Sequence, residues 1–277
     1  MKSINCKGKL LNLDEPVVMG IINATPDSFY QGHLHLSNDE ILVLAGKMIG
    51  DGAAILDIGG QSTKPGSEPI SAQQEMDRIL PLINSIHKEF PDTILSVDTY
   101  QHEVAKAAVH AGASIVNDIS GGNMDADMLT AVASLQVPYI CMHMQGTPAT
   151  MQKNPVYDDV VKEVLDFFIL KIEACKVAGI KDLIIDPGFG FGKSIEHNFQ
   201  LLKNLAVLDI TNKPVLVGLS RKSTIYKTLG ITATEALNGT TVLNSIALLN
   251  GASILRVHDV KEASQAITLF NAYKKAP

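Results

Sequence analysis

Eight short apolar runs in this chain each end in a polar or charged side chain. In chain order the ends are Asn23, Asp57, Asp98, Asn117 with Asp118, His143, Asp186, Ser220 with Arg221 and Lys222, and Arg256 with His258. Asp98, Asn117 and Asp186 supply acceptors and an amide. Such a set suits a planar heterocycle with several N–H donors, for example an aminopyrimidinone ring. Arg256, His258 and the hydroxyls of Ser62 and Thr63 suit a phosphate or pyrophosphate. Lys222 falls between the two groups. Taken singly, each Asp reads equally well as a helix cap or an ion-pair partner. Together they are harder to explain that way, because an unpaired buried polar group costs about 1–3 kcal/mol.

Distant residues reach one site only if the elements carrying them are parallel. The runs are VVMGIIN (17–23), AAILDIG (53–59), TILSVD (93–98), SIVND (114–118), PYICMH (138–143), LIID (183–186), VLVG (215–218) and SILRV (253–257). They are β-branched and almost continuously apolar, as strands buried on both faces are. Helical segments follow nearly every run. Ser37–Glu40, Ser71–Gln74 and Thr232–Glu235 fit the capping-box pattern. Ile79, Leu80, Leu82, Ile83 and Ile86 give one apolar helix face; Val160, Val161, Val164, Leu165, Phe168 and Ile172 give another. Gly112, Gly179 and Gly251 read as helix stops. Alternating strands and helices predict a parallel α/β sheet, and right-handed crossovers leave a closed barrel or an open doubly wound sheet. Length and strand count favour a (β/α)8 TIM barrel, with 1–277 as a single domain. SINCKGKLLNL, ahead of the first run, reads as a small hairpin turning at Gly8 that plugs the barrel's N-terminal end. The polar strand ends then converge on the opposite mouth, where such barrels place their chemistry.

Composition removes several classes of function. The 277 residues are 46% hydrophobic and carry a net charge of −6, which argues against disorder. No basic stripe marks a nucleic-acid footprint. Cys6, Cys141 and Cys175 share no metal or redox spacing and read as reduced thiols. The first residues form no signal peptide. The longest uncharged stretch, between Glu235 and Arg256, is studded with Asn, Ser and Thr and makes a poor membrane span. A soluble, cytoplasmic protein with no membrane partner is expected.

Other motifs fail on spacing. GFGFGKS (188–194) is one residue short of a phosphate loop, because the first Gly would fall at Pro187. It reads as a Gly-rich turn with Phe189 and Phe191 on a pocket wall. His33 and His35 lack the companions of a zinc site. His143 reads as structural rather than as a base. Segments 24–37 and 61–70 read as loops that close over the mouth.

Eight segments carry a resemblance across nearly the whole chain: GIINATPDSF (20–29), LDIGGQSTKPG (56–66), SVDT (96–99), AGASIVNDISG (111–121), MHMQGTP (142–148), DPGFGFGK (186–193), GLSRKS (218–223) and RVHDV (256–260). In content, order and spacing they resemble the dihydropteroate synthases of folate biosynthesis. The resemblance implies a pterin-binding TIM barrel, generally a homodimer and a sulfonamide target. It implies condensation of 6-hydroxymethyl-7,8-dihydropterin diphosphate with 4-aminobenzoate, giving 7,8-dihydropteroate and pyrophosphate, with Mg2+ accompanying the diphosphate. It places the pterin on Asp98, Asn117, Asp186 and Lys222. The diphosphate falls to Asn23, Thr63, Arg256 and His258, with Asn23 also at the metal. The 4-aminobenzoate pocket takes Thr63, Pro65, Phe191, Lys222 and Ser223. Asp98, Asp186, Lys222, Arg256 and His258 are the expected catalytic set. The late helices, around 232–250 and 259–273, are the expected dimer elements.

Two positions depart from the family pattern. Lys64 stands where Arg is common, which keeps the charge and loses the bidentate fork. Gln31 stands where an acidic residue is common, leaving Asp27 as the acid in that loop. Two alternatives remain. One is a methyltetrahydrofolate methyltransferase, which shares the pterin grip but needs no diphosphate set. The other is a catalytically silent pterin-binding module, against which Lys222, Arg256 and His258 argue.

Overall fold

A computed structural model of the chain describes residues 3–24, 38–62 and 66–277. Strands β1 (Ser3–Cys6) and β2 (Lys9–Asn12) form an antiparallel hairpin that turns through Lys7 and Gly8. Eight parallel strands follow: β3 (Val17–Asn23), β4 (Ala53–Gly59), β5 (Ile94–Asp98), β6 (Ile115–Asp118), β7 (Tyr139–Met142), β8 (Leu183–Asp186), β9 (Leu216–Val217) and β10 (Ile254–Val257). Their order around the sheet is β8-β7-β6-β5-β4-β3-β10-β9. A parallel bridge from Ile185 to Val215 joins the two ends, and the Ile185 N–H donates to the Pro214 carbonyl at 3.0 Å. The sheet is therefore a nearly closed barrel, as the alternation of runs predicts. The strands match their sequence ranges to within a residue or two.

Helices α1 (Asn38–Gly50), α2 (Ala72–Glu89), α3 (His102–Ala111), α4 (Met128–Leu135) and α5 (Val160–Ala178) wrap the outside, followed by α6 (Ile195–Lys203), α7 (Ser223–Leu229), α8 (Leu237–Leu249) and α9 (Val260–Lys275). The capping box at Ser71 is formed, with its hydroxyl accepting from the Gln74 N–H and the Gln74 side chain accepting from the Ser71 N–H. The Thr232–Glu235 box encloses a 3-10 turn, Ala233–Glu235, rather than opening a continuous helix. Glu235 Oε2 accepts from both the Thr232 N–H and its hydroxyl, which tightens that turn before α8 begins. The cap expected at Ser37 lies outside the described residues.

Side chains alternate across each strand, which splits the core in two. Outward residues pack under the helices. Inward residues form a separate cluster with one member from each barrel strand: Met19, Ile55, Ile94, Ile115, Ile140, Ile184, Leu216 and Ile254. Ile4, Cys6, Leu11 and Leu13 of the hairpin segment belong to that same cluster. The hairpin thus stoppers the N-terminal end, as its sequence suggests, and gives the cavity above it an apolar floor. No helix among the described residues is long and apolar enough to cross a membrane.

Candidate active site

One pleat above the floor the chemistry changes. Two positions beyond the floor residues of β4, β6, β8 and β10 stand Asp57, Asn117, Asp186 and Arg256. Asp98 ends β5 on the same side of its strand, and β5 pairs Asp98 directly with Asn117 of β6. Strand alternation alone therefore turns these five side chains into one cavity. Asp118, next to Asn117, faces the helices instead. Its carboxylate accepts from the Tyr139 hydroxyl at 2.7 Å and from the Ser120 and Gly122 N–H groups, both at 2.7 Å.

Arg256 is the hub. Its Nε donates to Asp57 Oδ2 and its Nη2 to Asp98 Oδ2, each at 2.6 Å. Asn117 Nδ2 donates to the same Asp57 oxygen at 3.0 Å. Arg256 Nη1 has no partner among the described residues. Burial alone would lower the arginine's pKa, but Asp57 and Asp98 more than reverse it. Burial pushes the Asp98 carboxyl up to about 7 against the opposing pull of Arg256. The role of Asp57, noted in the sequence only as a strand end, emerges here. It is fully buried and holds the guanidinium from below.

A second charged pair faces the first. Burial raises Asp186 and lowers Lys222 to about 8, and each opposes the other's shift. Lys222 Nζ donates to the Phe189 carbonyl at 2.5 Å and lies 4.8 Å from the centre of the Phe191 ring, a cation–π contact. Phe189 is fully buried, while Phe191 is half-buried beside the lysine. The Gly-rich turn 188–192 that carries both makes a backbone contact only glycine allows. A Cβ at Gly188, whose φ is +70°, would stand 1.9 Å from the His143 carbonyl oxygen. Lys193 locks the turn from behind. Its buried Nζ donates to the Gly188 and Phe191 carbonyls at 3.1 Å and to His143 Nδ1 at 2.9 Å. The His143 carbonyl, at 3.5 Å, is a fourth and longer contact, so the three shorter acceptors take the three protons of an ammonium. Burial, then the Lys193 charge, holds His143 far below its usual range, so the ring is a neutral acceptor packed edge-on against Phe167.

The loops after β9 and β10 are knitted together. Ser220 Oγ lies 3.0 Å from His258 Nδ1 and accepts from the His258 backbone N–H at 3.2 Å. Arg221 makes a bidentate pair with Asp259, both contacts at 2.9 Å, and also donates to the Ala233 and Thr234 carbonyls. Asn23 is half-buried at the end of β3, whose last pair is Asn23 with Gly59, itself paired to Asp98. Ser62 and Ser223 are half-buried. Thr63, Lys64 and Pro65 lie outside the described residues, as do Asp27, Gln31, His33, His35 and most of segment 24–37.

The only His, Cys and acidic cluster of metal-ligating spacing among the described residues is His102, Asp125 and Asp127. Asp125 already accepts from the His102 N–H, the His102 ring and the Asp127 N–H, so the group caps α3.

Comparison with known proteins places this geometry. A family described as pterin binding enzyme matches residues 19–258. A dihydropteroate synthase of Escherichia coli strain K12 is 44% identical over 268 residues, covering 96% of this chain and 94% of the relative. A Yersinia pestis dihydropteroate synthase, solved with a sulfonamide drug complex, superposes with a TM-score of 0.95 at 42% identity, covering 99% of this chain and 100% of that one. A Xanthomonas albilineans dihydropteroate synthase in complex with 7,8-dihydropteroate gives a TM-score of 0.90 at 39% identity, covering 100% of both chains. This chain belongs to the dihydropteroate synthases of the pterin-binding enzyme family.

Proposed function

We infer that the chain, as one pterin-binding barrel domain over 1–277, condenses 6-hydroxymethyl-7,8-dihydropterin diphosphate with 4-aminobenzoate in folate biosynthesis. The observation that carries this reading is the pairing of charges at one mouth: Asp57 and Asp98 on Arg256, beside Asp186 facing Lys222. A pterin offers an amino group and ring N–H donors on one edge. Asp186 takes that edge, with Asp98 and Asn117 beside it and Lys222 against an acceptor of the ring. The diphosphate lies toward Arg256 Nη1 and His258, with Ser62 and Thr63 at the second loop. Phe191, Lys222, Ser223, Thr63 and Pro65 form the 4-aminobenzoate pocket.

The reaction asks for electrostatics rather than a nucleophile from the protein. The C–O bond to diphosphate breaks first, and the amine attacks the resulting carbon. Arg256 and His258 stabilise charge collecting on the departing diphosphate. Asp98 and Asp186 stabilise the positive charge spreading over the pterin ring. Excluding water from the mouth keeps the cation from being captured by it.

Magnesium fits this site in one respect. The half-buried Asn23 side chain makes no hydrogen bond to a described residue and offers one hard amide oxygen at the mouth. Mg2+ typically takes few protein ligands and completes its shell with water and substrate phosphates, where it neutralises the leaving group. The protein is proposed to be cytoplasmic and homodimeric. Val242, Ile246 and Leu249 of α8, with Leu269 and Tyr273 of α9, are exposed apolar residues suited to a dimer surface.

A coupled assay for pyrophosphate release tests the reading. Release should require both 4-aminobenzoate and Mg2+ and should yield dihydropteroate. Binding of the pterin diphosphate without release would instead identify a silent module.

A further inference from the structure

We propose that Ser220 is a positioning residue for His258, fixing its imidazole as the neutral tautomer with the proton on Nε2, so that the ring serves the diphosphate as a neutral hydrogen-bond donor and not as a cation. This rests on the diphosphate reading above and adds the protonation state and its cause.

The hydrogen-bond arithmetic is local. Ser220 is buried in the loop after β9, and its Oγ already accepts from the His258 backbone N–H at 3.2 Å. The same oxygen is 3.0 Å from His258 Nδ1. With the backbone proton accepted, the hydroxyl's own proton has one acceptor within reach among the described residues, Nδ1. Donation there leaves Nδ1 as acceptor and the ring proton on Nε2. The opposite assignment, with Nδ1–H donating, would point two donors at Oγ and leave the buried hydroxyl proton unused. Tied down through Nδ1, the otherwise exposed ring turns Nε2 away from Ser220.

The surrounding charges agree. Arg256 lies two residues back, on β10, and Arg221 and Lys222 stand on the facing loop. Asp259 is the one acid acting on the ring among the described residues, and its carboxylate is held bidentate by Arg221. Desolvation by the groups crowded around the ring, then Arg256, lower the imidazole to about 4, although the residue as a whole is exposed to solvent. A second positive charge there would repel Arg256. A neutral N–H would not, and it still donates.

Two-bond 1H–15N correlation spectra of protein labelled at histidine nitrogen read the tautomer directly, with H258Q assigning the signal. At pH 7 without substrate, His258 should show the Nε2–H pattern. In S220A that pattern should give way to a mixture of tautomers, and KM for the pterin diphosphate should rise about fivefold to tenfold with kcat less affected. Gln places its amide near Nε2 and Asn near Nδ1, so H258Q should keep KM closer to wild type than H258N does. An imidazolium or Nδ1–H pattern in the wild type overturns the proposal, as does an S220A spectrum identical to it. The spectra require no turnover, so loss of the tautomer is distinct from failure of the synthase reading, which would show as wild-type enzyme releasing no pyrophosphate.

Discussion

Replacing Asp57 by Asn removes one of the two carboxylates that hold Arg256 and changes little else in shape. Asp57 is fully buried, its Oδ2 accepts from Arg256 and Asn117, and its Oδ1 has no partner among the described residues. Removing one partner of a buried pair typically costs about 3–5 kcal/mol. Arg256 keeps Asp98, and an Asn carbonyl still accepts one hydrogen bond, so we expect about 2–3 kcal/mol here. With about 2 cal/mol/K of unfolding entropy per residue, that lowers Tm by about 4–5 °C. Arg256→Met should be worse, because it leaves two buried carboxylates facing each other. The double variant should then lose less than the sum of the singles, with a coupling of about 1–3 kcal/mol. Urea and thermal unfolding of the four proteins measure this, and KM for the pterin diphosphate should rise in D57N because the guanidinium is no longer fixed from below. Additive losses, or a D57N variant with wild-type Tm and KM, would show that Asp57 does not support Arg256.

Lys193→Met strands the Gly188 and Phe191 carbonyls and His143 Nδ1, so it should lower Tm and raise KM for 4-aminobenzoate about tenfold as the turn under Phe191 and Lys222 loosens. Glu75 is buried, with Oε1 unpartnered among the described residues and Oε2 on Thr99 and Gln101, and burial raises it from 4.5 to about 7. A raised acid favours the folded state most fully below its unfolded pKa and loses that contribution as pH climbs through the folded one. Glu75→Gln should therefore flatten the decline in urea midpoint between about pH 4.5 and about pH 7. Tyr139→Phe removes the hydroxyl that donates to Asp118 and should cost about 1–2 kcal/mol by urea unfolding with kcat and KM unchanged, since that pair faces the helices.

Strand runs, barrel, plug and the set of tips at one mouth were all legible in the sequence, because continuous apolar runs ending in polar residues have few other uses. Direction was harder to read. Asn117 and Asp118 are neighbours of equal polarity, and only the register of β6 turns one inward and the other under the helices. Asp57 was noted as a strand end, but its part was hidden because its partner, Arg256, lies 199 residues further along the chain. Counting in twos from Ile55 would have turned it inward. Lys193 was read as the tail of a Gly-rich turn. Its acceptors are backbone carbonyls and a histidine 50 residues away, which carry no sequence signal. The Thr232 box was legible as a cap, but nothing local distinguishes a 3-10 turn from a helix start.

The grip of Asp186 on the pterin is tested most directly by calorimetric titration of wild type and D186N with 6-hydroxymethyl-7,8-dihydropterin, which carries the ring and no diphosphate. The account predicts that D186N, still folded by circular dichroism, binds the ring at least about thirtyfold more weakly, as loss of a charged bidentate acceptor requires. Equal affinity in the two proteins would place the pterin elsewhere and contradict the assignment of the mouth.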